Sequence, residues 1–138
     1  MAKLVRFGVS IDEKLLRKFD VLIRKEDYPN RSEAFRDLIR EKLIKKEWNE
    51  NKEVAGSITL VYDHHKRELL NYLVDVQHSF HHLILSTQHI HLDHNNCLEV
   101  VVVQGRPKEI ERLVHKLRSV KGVKHSALTM TTIGKDMA

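Results

Sequence analysis

Residues 4–11 read as a single β-strand with no second strand pattern near it in the chain. Phe7, Val9 and Ile11 alternate with Arg6, Gly8 and Ser10, the period of a half-buried strand. Up to about residue 50 the pattern is then helical. Ser10 or Asp12 suits an N-cap, and Ser10-x-x-Glu13 fits a capping box. Leu15, Leu16, Phe19, Leu22 and Ile23 recur at helical spacing. Asp27-Tyr28-Pro29-Asn30 breaks that helix, and Asn30-x-x-Glu33 opens another, with Ala34, Phe35, Leu38, Ile39 and Leu43 as its apolar stripe. A lone strand leaves its backbone groups unpaired. One strand and two helices in under about fifty residues also bury little core. Both problems disappear if two chains pair their strands antiparallel and interlock their helices, so a dimeric module is expected. In such a ribbon Phe7, Val9 and Ile11 face the helices, and Arg6, Gly8 and Ser10 face outward. A two-stranded ribbon fits the major groove of DNA, where side chains reach base edges.

The second half follows a different plan. Lys45 to Glu53 is polar without an apolar period and reads as a frayed helix end and linker. The expected division is therefore 1–50 and 51–138. Beyond Gly56 come a strand at 57–62, a helix at 66–78 with Leu69, Leu70, Leu73, Val74 and Gln77 along one side, and strands at 82–92 and 97–104. A helix at 107–119 carries Ile110, Leu113, Val114 and Leu117 inward, Gly122 ends it, and a last strand runs over 123–132. The order βαββαβ predicts a four-stranded antiparallel sheet with two helices on one face, the ferredoxin-like plan of ACT-type sensing domains. The fold class is α+β.

The chemistry concentrates in one hairpin. All ten histidines lie between His64 and His125, and the single cysteine is Cys97. His89 and His91 stand two apart on a strand, so they share a face. The polar turn Asp93–Asn96 brings Cys97 back beside them. Imidazole nitrogen with thiolate is a transition-metal donor set, and His78, at the end of the preceding helix, is the best further donor. A histidine-rich surface turn beside a buried cysteine is the plainer alternative. Glu99 shares the face of Cys97 by strand parity and is a candidate acceptor for a ligand imidazole N–H.

Composition excludes several classes. Net charge is +5, but residues 1–50 hold 13 Lys/Arg against 10 Asp/Glu and residues 51–138 hold 11 against 9. The basic excess is diffuse, so a DNA reading rests on the ribbon rather than on charge. One cysteine excludes an intrachain disulfide framework. No leader and no apolar run near ~18 residues is seen, so a cytoplasmic protein without a membrane partner is expected.

The first half resembles the ribbon-helix-helix DNA-binding family, on the strand, Asp12-x-x-Leu15-Leu16, and Asn30-Arg31-Ser32-Glu33-Ala34-x-Arg36-Asp37. This implies that Arg6, Gly8 and Ser10 occupy base-reading positions and that the start of the second helix, Asn30, Arg31 and Ser32, anchors a phosphate. Gly8 departs from the pattern, having no side chain where a polar one is expected. The whole chain resembles the nickel-responsive transcriptional regulator family (NikR), through Gln77-His78, His89-x-His91-x-x-His94-x-x-Cys97-Leu98-Glu99 and Tyr62-x-His64-x-Lys66-Arg67. The resemblance implies a homotetramer, a dimer of dimers, with one Ni(II) per subunit held by His89, His91 and Cys97 of one chain and His78 of a neighbour. It further implies nonspecific phosphate contacts by Lys66 and Arg67, and a secondary cation at Glu33 and Asp37. The function so implied is a nickel-responsive repressor of nickel uptake genes, bound to double-stranded operator DNA, and not an enzyme. The competing reading is a ribbon-helix-helix repressor whose ACT-like domain senses another metal or a small molecule. A metal hydrolase would want an open coordination position and a general base, and no such base stands out. His64 with His65, and His81 with His82, are left as further histidine clusters.

Overall fold

The computed structural model describes residues 3–138 and divides into two compact units, one comprising the chain up to Leu43 with Gly134–Ala138, the other Ile44–Ile133. In the first, residues 3–12 are exposed and belong to no helix or ladder within the chain. The expected strand is therefore not formed by one chain, since its N–H and C=O groups have no neighbouring strand to bond. Helix α1 (Glu13–Lys25) follows, capped by Asp12, whose carboxylate accepts from the Lys14 and Leu15 amides; the alternative cap, Ser10, is not used. Helix α2 (Arg31–Asn49) is capped by Asn30, whose Oδ1 accepts from Glu33 N at 2.9 Å, one half of the expected capping box, while the Glu33 carboxylate pairs with Arg36. Ile23 and Ala34 are buried, whereas Leu15, Leu22, Leu38 and Ile39 are about half exposed and Phe7 is 70 % exposed. A single copy of this unit leaves most of its apolar stripe uncovered.

The second unit has the predicted order. Strand β1 (Val54–Asp63) leads to helix α3 (Arg67–Ser79), the hairpin β2 (Ile84–His91) and β3 (Asn96–Gly105), helix α4 (Pro107–Arg118) and strand β4 (Val123–Met130). The sheet order is β2-β3-β1-β4, antiparallel throughout. The alternate residues Ile58, Leu60 and Tyr62 of β1 and Val101 and Val103 of β3 pack with Leu69, Leu73, Ile110, Leu113 and Leu117 of the helices. Gly122 closes the α4–β4 turn at φ +102°, and a Cβ there would press on Leu69 at 3.2 Å.

Two expectations need correction. Val74 is 64 % exposed. Leu69 and Leu73 define the buried line of α3, and Val74 lies about 100° further around the helix. Lys45–Asn49 is not a frayed end, because α2 runs to Asn49. Trp48 holds it there: the side chain is buried, its indole N–H donates to Thr131 O at 2.9 Å, and its ring lies 3.5 Å from where a Cβ on Gly56 would stand. Asn51, at φ +55°, then latches to the start of α4, its Oδ1 accepting from Lys108 N and its carbonyl from Arg106.

Candidate metal centre and nucleic-acid interface

The β2–β3 hairpin puts the donors where strand parity predicts. Register pairs His91 with Cys97 and His89 with Glu99, and Tyr62 of β1 pairs with Cys97. Directly paired residues project to the same side of a sheet, so His89, His91, Cys97, Glu99 and Tyr62 share the helix-facing side. The turn is set by Asp93. Its Oδ1 accepts from the amides of Asn95 and Asn96 at 2.8 and 2.7 Å, and Oδ2 from Asn96 Nδ2 at 3.0 Å. The Asn96 side chain, then the Asn96 and Asn95 amides, hold the Asp93 carboxyl well below the usual carboxylate range, down to about 2.

Glu99 is the centre of a buried network. It is 1 % exposed, and its Oε1 lies 3.1 Å from His89 Nε2 and accepts from Gln77 Nε2 at 3.0 Å. Its Oε2 accepts from the Tyr62 hydroxyl at 3.0 Å. The other ring nitrogen of His89, Nδ1, lies 3.2 Å from the Tyr62 oxygen, so the imidazole sits between the phenol and the carboxylate. Burial, then the Glu99 carboxylate, raises the Tyr62 hydroxyl pKa far above its ordinary value, so the phenol stays protonated. Cys97 is buried, with Sγ 3.6 Å from Leu98 O.

The chemistry of these groups suits a borderline-soft divalent ion: an imidazole beside a buried carboxylate, a second imidazole, and a thiol that binds once deprotonated. A single chain does not complete the set. Among the described residues no group of three or more His, Cys, Asp or Glu side chains is gathered closely enough to hold a metal. His78, in the last turn of α3, is exposed and lies beside His81, with ring centroids 5.9 Å apart. Because α3 ends at Ser79, His81 and His82 do not continue its face.

A second imidazole cluster borders the first. The His64 ring stacks on His91 with centroids 4.6 Å apart, and His64 and His65 both direct Nε2 at His94 O, at 2.9 and 2.8 Å. As donors to one carbonyl, both carry the Nε2–H tautomer.

In the first unit Arg6, Gly8 and Ser10 are all exposed on the N-terminal segment, and the intervening Phe7 meets Phe35 edge-on at 5.9 Å. Asn30, Arg31 and Ser32 are exposed at the open end of α2, where the first amides have no intrahelical acceptor. The Arg31 side chain is engaged: Nε and one terminal nitrogen each lie 2.8 Å from an oxygen of Asp20. Glu33 pairs with Arg36 at 2.7 Å, and Asp37 takes Tyr28 OH at 2.7 Å and Arg40 at 2.8 Å. Lys66 and Arg67 are exposed at the start of α3. No helix among the described residues is long and apolar enough to cross a membrane.

The family model described as the NikR C terminal nickel binding domain matches residues 55–131, and that of the ribbon-helix-helix proteins, copG family, matches residues 5–46. A protein of Syntrophus aciditrophicus is 56 % identical over 135 residues, covering 98 % of each chain, and one of Desulfovibrio desulfuricans is 54 % identical over 138 residues, covering 100 % of both. Both are provisionally named nickel-responsive regulators. The chain belongs to the nickel-responsive regulator family. That family pairs a ribbon-helix-helix DNA-binding domain with a nickel-binding domain, and its members are regulators rather than enzymes. A solved structure, the uncharacterized protein TM1266 of Thermotoga maritima, shares the fold of part of the chain, with TM-score 0.52 and 18 % identity over 56 % of this chain and 96 % of that one.

Two polar residues of the site carry no role of their own in the sequence reading. Tyr62 enters only as part of a motif, and Gln77 only as part of a motif and as a position on α3. Both reach Glu99 from elements distant in the chain. Strand parity could have placed Tyr62, which alternates with Ile58 and Leu60 on the buried side of β1.

Proposed function

We propose that this protein is a nickel-dependent repressor that binds operator DNA of nickel uptake genes as a homotetramer, with one Ni(II) per subunit, in the cytoplasm. His89, His91 and Cys97 are the donors of one chain, and His78 of a neighbouring chain completes the set. The observation that carries the reading is the buried Glu99 carboxylate 3.1 Å from a ring nitrogen of His89, since a carboxylate beside a ligand imidazole orients the ring for a metal. His78 is exposed in the last turn of α3 beside His81, in keeping with a role across an interface.

The assembly follows from what is left uncovered. Two copies of the N-terminal segment, paired, would bury Phe7, Val9 and Ile11 and present Arg6, Gly8 and Ser10 to the major groove. The sheet side away from the helices carries Ile90, Leu98 and Val61 abreast in register, then Gln88, Val100 and Thr59. This largely apolar face suits pairing of dimers. Lys66 and Arg67 would add phosphate contacts. Glu33 and Asp37, each paired with an arginine here, would have to give up those partners to take a cation.

Bound nickel would supply a cross-link between chains. A switch from 1:99 to 99:1 requires about 5.5 kcal/mol of differential affinity. Donors drawn from two chains provide such a difference, because His78 reaches the site only in the correct assembly. X-ray absorption and visible spectra of protein loaded with one nickel equivalent per chain, beside Cys97→Ala, test this. A planar three-nitrogen, one-sulfur signature lost in the variant is expected. A six-coordinate nitrogen/oxygen spectrum indifferent to Cys97 would remove the site.

A further inference from the structure

We propose that Arg31 is a positioning residue rather than a phosphate ligand: with Asp20 it forms a clamp between α1 and α2 that aims the open end of α2 at the DNA backbone. The inference rests on the DNA-binding reading above and gives Asp20 a part in it. Arg31 Nε donates to Asp20 Oδ1 and its terminal nitrogen to Oδ2, both at 2.8 Å, the planar fork that fixes two groups in orientation as well as distance. The pair spans eleven residues and the Asp27–Asn30 turn. It sits at the first residue of α2, next to the Asn30 cap that occupies Glu33 N and leaves the amides of Arg31 and Ser32 for an anion. Asp20 is the less exposed partner, its side chain 29 % exposed against 60 % for Arg31, so the carboxylate is the fixed point and the arginine reaches to it. Each partner holds the other's charge, the arginine lowering the Asp20 pKa.

The charge balance separates the two roles. A guanidinium paired with a carboxylate contributes no net positive charge, so it releases few counterions from DNA. If it acts only through the geometry of α2, breaking the pair weakens binding whichever partner is changed.

The test is operator binding by the nickel-loaded full chain, measured by fluorescence anisotropy over a range of salt for four proteins: wild type, Asp20→Asn, the charge-balanced double variant Asp20→Asn/Arg31→Gln, and the exchanged pair Asp20→Arg/Arg31→Asp. The clamp predicts that Asp20→Asn weakens binding about tenfold although it makes the protein more positive. It predicts that the double variant is no weaker than that and keeps the wild-type salt slope. The exchanged pair should recover much of the affinity, and melting temperatures should stay close to wild type. Tighter binding by Asp20→Asn would overturn the clamp, showing that Asp20 restrains an Arg31 that binds phosphate. A double variant whose salt slope falls by about one per contacting chain would overturn it as well. If wild type itself shows no sequence-preferring DNA binding, the parent reading fails and the clamp with it.

Discussion

Glu99 Oε1 stands 3.1 Å from His89 Nε2 on a carboxylate that is 1 % exposed, so the orientation of one proposed metal ligand is set from inside the fold. Glu99→Gln keeps the size and can still accept from Gln77, but it removes the negative charge beside the His89 ring. Nickel affinity is expected to fall by about 10–100-fold. Competition titration against a chelator of known affinity reads this directly. Unchanged affinity would mean that Glu99 is only a buried structural carboxylate.

Tyr62→Phe removes one donor from Glu99 and leaves Oε2 buried without it. An unsatisfied buried acceptor costs about 1–3 kcal/mol. Urea unfolding of the metal-free protein should show that loss as a lower midpoint with an unchanged slope. A stability equal to wild type would place the hydroxyl outside the network.

The Asp93 turn predicts an acid limb. Its carboxyl is depressed to about 2, against about 3.9 in an unfolded chain. A depressed carboxyl stabilises the fold above the unfolded value, and this contribution is lost as pH falls through the folded one. The melting-temperature difference between wild type and Asp93→Ala should therefore be constant from pH 7 to about 5 and shrink between about 4 and 2. A difference independent of pH across that window would assign the turn's stability to something other than the ionised carboxylate.

Trp48 is the chain's single tryptophan and is buried against β1, so its fluorescence reports whether the end of α2 is docked. Trp48→Ala should cost about 3–5 kcal/mol. Trp48→Phe retains most of the packing but leaves Thr131 O without the indole donor, and should cost about 1 kcal/mol. Thermal unfolding followed by circular dichroism distinguishes the two losses, and equal losses in both variants would assign all the stabilisation to the hydrogen bond.

The hydrophobic periods of the second half were legible in the sequence, and so was the placing of His89, Cys97 and Glu99 on one side, because strand parity depends on nothing but spacing. The network around Glu99 was less so: Tyr62, Gln77 and His89 come from three elements, and no local pattern ties them. The continuation of α2 was hidden for another reason. Its last turns are polar apart from Trp48, and one buried aromatic makes no period. Val74 misled in the opposite direction, being apolar at helical spacing yet turned to solvent. Residues 3–12 carry a strand pattern that a single chain has no means to satisfy.

The most direct test of nickel-controlled DNA binding is selection from a pool of random duplexes by wild-type and Cys97→Ala protein, each with and without one nickel equivalent per chain. Enrichment of one sequence by nickel-loaded wild type alone, with the metal-free protein and the variant giving none, is the predicted result. Equal enrichment with and without nickel, or by Cys97→Ala as by wild type, would contradict it.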